Sequence, residues 1–85
     1  LDIQRWAENQ TFIALGQLLL AAGIEGIDAT PIGGFDEEII SEELQLAEQG
    51  LIPSVLLTLG YRSENDFNAK LPKSRLPAED IFTKL

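Results

Sequence analysis

The chain has 85 residues, enough for at most one small domain, and 45% hydrophobic against 24% charged residues is the balance of a folded chain rather than a disordered one. It has no Cys and no His, which excludes disulfides, thiolate or imidazole metal sites, Cys nucleophiles and Ser-His triads within it. A net charge of −8 argues against nucleic acid and anionic membranes as partners.

The first expected element is a long helix from about Asp2 to Gly23, with Asp2 as its N-cap. Ile3, Trp6, Ile13, Leu20 and Ile24 recur at helical spacing, and from Phe12 to Ile24 the only polar side chain is Gln17. A helix apolar nearly all round is buried on most sides, yet this run is short of the roughly 20 apolar residues of a membrane span. Asp2 and Glu8 stand where a signal peptide carries basic residues, so the helix is not read as one. Gly16 costs about 1 kcal/mol relative to Ala, which suggests a close helix–helix approach there. So short a chain has little with which to surround this helix. It is expected to pack against protein outside the sequence, either a missing N-terminal segment or a second subunit. The absence of Met and the start at Leu1 suggest that a natural start has been removed or that the chain is a piece of something longer.

Gly23, Gly26 and Pro31 break the chain next, with an extended piece expected at Ile27–Ile32. Gly33-Gly34 permits positive φ or the close approach of another group. A surface helix from about Asp36 to Gln49 follows, with Asp36 as N-cap, Glu37 and Glu38 in the first turn, and Gly50 at C′. Its apolar stripe is Ile40, Leu44 and Ala47. The acidic cluster Glu37, Glu38, Glu42 and Glu43 reads as a solvated face, and Asp28 as a turn former. Val55–Leu59, bounded by Pro53 and Gly60, reads as one strand buried on both faces, with pairing partners outside this chain. Pro72 and Pro77 prevent helix across Lys70–Pro77, and residues 79–85 are an edge strand or a frayed end.

Charge divides the chain in two. Residues 1–60 hold ten acids and one base, whereas residues 61–85 hold four acids and five bases, including the uninterrupted positive stretch Lys70–Arg75. A local excess of this kind on an acidic protein marks a candidate anion site; it also suits a plain solvated tail.

Two strings carry a likeness. They are Pro31-Ile32-Gly33-Gly34-Phe35-Asp36, at the mouth of the acidic helix, and Leu71-Pro72-Lys73-Ser74-Arg75-Leu76-Pro77, after Asp66-Phe67-Asn68-Ala69-Lys70. In this order, with the strand ending in Gly60-Tyr61 between them, the chain resembles the C-terminal part of the FMN-dependent NAD(P)H nitroreductase and flavin reductase family, and within it the oxygen-insensitive bacterial branch. The resemblance covers essentially all 85 residues. It implies an α+β fold: a long buried helix, a surface helix, one central strand and an extended C-terminal tail, with the N-terminal half of the domain absent. It implies an intertwined homodimer with FMN at the subunit interface. The implied activity is the transfer of two electrons, by a ping-pong route, from NADH or NADPH to a small-molecule acceptor such as a nitroaromatic, a quinone or free flavin. It implies cofactor contacts from Pro31, Ile32, Gly33 and Gly34 along the flavin edge, and from Lys73 and Arg75 to the FMN phosphate. Residues two apart in an extended segment point to the same side, so both cations suit one phosphate. The family commonly has glutamate where this chain has Gly33. No residue here reads as catalytic or as a metal ligand, and no nucleic acid or membrane partner is expected. A cytoplasmic location fits this reading. The alternative is a catalytically incompetent fragment that acts only as an acidic association module.

Overall fold

The computed structural model describes residues 1–85 and contains three α-helices, a 3₁₀ turn and a two-stranded sheet. Helix α1 spans Ile3–Ile24, and the Asp2 carboxylate accepts from the Arg5 N–H as its N-cap. Its end is set by Gly26 rather than Gly23. Gly26 has φ +72°, the Gly26 N–H donates to the Gly23 carbonyl, and the Ile27 N–H donates to the Ala22 carbonyl. That pair of bonds closes the last turn around a left-handed residue, a conformation a side chain at Gly26 would oppose.

Strand β1 (Asp28–Ile32) pairs antiparallel with β2 (Leu56–Gly60), in a register that sets Asp28 opposite Gly60 and Ile32 opposite Leu56. The strand expected to seek partners elsewhere therefore has one inside the chain. The extended piece expected at Ile27–Ile32 is that partner, and Pro31 within it is tolerated because each strand of a two-stranded ribbon has an outer edge that needs no donor. β2 is not buried on both faces: Leu56 and Leu57 are half-buried, while Thr58, Leu59 and Gly60 are exposed. A continuous apolar run reports the environment a strand is suited to, and two strands with one flanking helix do not cover both faces.

Helix α2 (Glu37–Glu43) begins where expected, with the Asp36 carboxylate accepting from the Glu38 and Ile39 N–H groups. It stops six residues short of Gln49. Gln45 takes φ +54°, and the Leu46 N–H turns back to the Ser41 carbonyl. The Gln49 side chain donates to the carbonyls of Gln45 and Leu44, satisfying two acceptors that the helix leaves open. A separate 3₁₀ turn, Ala47–Gln49, then ends at Gly50 with φ +70°, so the glycine has its left-handed role one element later than expected. The stripe of Ile40, Leu44 and Ala47 is broken with the helix, and only Ile40 of the three is half-buried.

Beyond Gly60 the chain is irregular as far as Pro77. The Ser63 hydroxyl accepts from the Asn65 N–H and the Asp66 carboxylate from the Asn68 N–H, which shapes two local turns. Residues 79–85 form neither an edge strand nor a frayed end throughout: Ala78–Ile81 is one helical turn, α3, opening directly after Pro77.

The molecule has almost no core. Ala22 is its only buried residue, and Ile13, Leu20 and Ile24 of α1 are 61%, 67% and 75% exposed. The least exposed residues of α1, Leu15, Leu19 and Ala22, follow i, i+4, i+7 on a helix that meets β1. Nothing lies within 4 Å of where a Cβ on Gly16 would stand, so no close helix approach occurs there within the chain.

Candidate functional site

The irregular segment after β2 folds back along β1 and leaves an open groove of about 530 Å³ between them. One wall is β1, through Asp28, Ala29 and Thr30; the other is the segment from Asp66 to Lys73. The two are joined at one end by Arg62. Its backbone N–H donates to Asp28 Oδ2 at 2.8 Å, its Nε to the same oxygen at 3.1 Å, and its Nη2 to Oδ1 at 2.5 Å. This is the fork-on-carboxylate geometry that only a guanidinium supplies. The bonds from Arg62 hold the Asp28 carboxyl at a pKa of about 2, well below the ordinary range, and Asp28 in turn raises that of Arg62.

Sequence reading missed this pair. Asp28 is the first residue of β1 and an ion-pair partner, not a turn former. Its partner lies 34 residues away, and only the antiparallel register brings them together.

Of the residues singled out for a cofactor, Lys73 lines the groove, and Pro31, Ile32, Gly33, Gly34 and Arg75 do not. Pro31 and Ile32 end β1, and Gly33 and Gly34 form the loop to α2. Both glycines have ordinary φ, and a Cβ on either would meet nothing within 4 Å, so the fold of this chain does not itself require glycine there. The Arg75 guanidinium donates to the Ser74 carbonyl at 2.8 Å. Arg62–Asp28 is the one ion pair in the chain, so Lys73 and Arg75 both stand without a carboxylate partner. Two unpaired cations two residues apart suit a phosphate ester, and the open flank of Gly33-Gly34 suits a flat ring laid against backbone. The chemistry of these donors suits FMN, while the groove itself holds only Lys73 of them.

The chain is thus an α+β arrangement with an acidic body, a cationic tail and most of its large apolar side chains exposed. Comparison with known proteins makes this particular. The model of the nitroreductase family matches residues 2–61. An oxygen-insensitive NAD(P)H nitroreductase of Enterobacter cloacae is 45% identical over 83 residues, which are 98% of this chain and 38% of that protein. The protein of that name from Salmonella typhimurium is 42% identical over 84 residues, 99% of this chain and 39% of its own. The major NAD(P)H-flavin oxidoreductase of Aliivibrio fischeri is 38% identical over 81 residues, covering 94% and 37%. The chain belongs to the nitroreductase family. It spans less than two-fifths of the length of these relatives and corresponds to their C-terminal part.

Proposed function

We propose that the chain is the C-terminal segment of a nitroreductase domain and contributes to an FMN-dependent NAD(P)H oxidoreductase. The observation that carries this reading is the family match over residues 2–61. In this reading Lys73 and Arg75 hold the FMN phosphate, while Pro31, Ile32, Gly33 and Gly34 lie along the flavin edge. Backbone N–H groups at the two glycines act as fixed donors there, which tunes the ring without bond chemistry of their own. FMN, when bound, supplies two-electron chemistry between NADH or NADPH and a small-molecule acceptor such as a nitroaromatic, a quinone or free flavin, in a ping-pong sequence. Gly33 has no side chain to place beside the flavin, so acceptor choice here rests on backbone and on neighbouring residues.

A homodimer partner or the N-terminal part of the domain covers the exposed faces of α1 and of the ribbon in this proposal. A cytoplasmic location belongs to the same reading; no helix is long and apolar enough to cross a membrane.

A flavin absorption spectrum of the purified protein is the first test. The second is selective: Arg75→Ala is expected to weaken FMN about ten- to 150-fold, the scale of a charge-assisted bond, and to leave riboflavin, which lacks the phosphate, nearly unchanged. Added salt narrows the difference between the two ligands. Equal losses for FMN and riboflavin would show that Arg75 acts through the fold of the tail instead.

A further inference from the structure

Residues 61–85 are joined to the rest of the molecule by few interactions. The only hydrogen bonds that link them to residues 1–60 are the three that Arg62 donates to Asp28. Every other hydrogen bond of the tail is local, as in the turns at Ser63 and Asp66, and all residues from Phe67 onward are exposed. The path of the tail along β1 therefore depends on one side-chain pair.

That pair is built for geometry. A single carboxylate takes a backbone N–H and two guanidinium N–H groups, which fixes both the position and the direction of the chain leaving Gly60. Arg62 and Asp28 also stand on the groove that Lys73 lines. Asp28 opens β1, and the same strand ends at Ile32, next to Gly33 and Gly34.

We propose that Arg62 and Asp28 are positioning residues, a latch that sets where Lys73 stands relative to β1 and the glycine loop that follows it. The inference rests on the assignment of Lys73 and Arg75 to the FMN phosphate. Neither Arg62 nor Asp28 touches the flavin in this account. Their work is to hold an exposed segment in register so that its cation meets the phosphate without an added ordering cost at binding.

The test uses the FMN-loaded holo-protein that carries this segment. Arg62→Gln and Asp28→Asn each remove the fork, and Arg62→Lys keeps the charge while losing the planar geometry. Each of the first two is expected to weaken FMN about three- to tenfold, part of what a charge-assisted bond contributes, and to leave riboflavin within about twofold. The double variant loses no more than either single one, because both break the same link. Arg62→Lys recovers part of the affinity, and the phosphorus resonance of bound FMN shifts in Arg62→Gln. Losses that are equal for FMN and riboflavin, or that add in the double variant, overturn the latch. Lys73→Ala separates the two levels of the argument. A selective FMN loss in Lys73→Ala without one in Arg62→Gln overturns the latch alone. No selective loss in Lys73→Ala removes the phosphate assignment, and the latch with it.

Discussion

Asp28 shows how much one residue's meaning depends on what the fold brings to it. After Gly26 it looks like a turn residue; in the structure its carboxylate is the anchor for Arg62. Because that carboxyl is held at about 2 against an ordinary value of 3.8, the pair stabilises the fold at any pH above the ordinary value. Its contribution is lost as pH falls from 3.8 through about 2, and Asp28→Asn is expected to remove that acid-limb dependence when stability is followed from pH 6 to about 2. Gln45 is a second case. A side chain at φ +54° is strained by about 1–2 kcal/mol, and glycine there gives part of this back through greater freedom in the unfolded chain. Gln45→Gly is expected to stabilise by about 0.5–1 kcal/mol in urea unfolding of the assembled protein. A change within a few tenths would mean that the unfolded-state freedom of glycine cancels the relief of strain.

Elements differ in how far they explain themselves. The starts of α1 and α2 are local: Asp2 and Asp36 each cap a helix through a carboxylate two or three residues away from its donor. Their ends were harder to read, since Gly23 and Gly26 both qualify as stops for α1, and a glutamine is an unusual residue to take a left-handed φ. Gly16 gives an element-scale test. Within this chain a Cβ there meets nothing, so Gly16→Ala is expected to raise helix content of the 85-residue chain, by about 1 kcal/mol of helix propensity, in circular dichroism at 222 nm. On the proposal that a second helix packs against α1 at Gly16, the same change is expected to lower the melting temperature of the assembled protein. A higher melting temperature in the assembly would show that Gly16 faces open space there as well.

At the scale of the molecule the decisive quantity is surface. A compact monomer of 9.3 kDa exposes about 5,000 Å², and this chain exposes 7889 Å², an excess of about 2,900 Å². Its radius of gyration is 16.2 Å against about 12 Å for a compact chain of 85 residues. An excess of that size is on the scale of an obligate subunit interface. The chain alone is accordingly expected to associate at micromolar concentration and to unfold without a sharp transition, as seen by sedimentation and by urea titration. A cooperatively folding monomer would contradict both this and the proposal that a partner or N-terminal segment covers these faces.

The sequence by itself determined the helix starts, the extended piece around Pro31, the apolar excess and the cationic tail, because each depends on neighbours in the chain: capping distances, proline geometry, composition and charge runs. The two strings around Gly33 and Lys73 were enough to point to the nitroreductase family, which the match over residues 2–61 bears out. Tertiary structure alone decided that β2 pairs with Asp28–Ile32 inside the chain, that Lys73 lines a groove which Arg75 does not, and that Arg62 grips Asp28. Those facts join residues 24 to 45 positions apart, and no local periodicity or spacing records a contact that exists only once two strands have found their register.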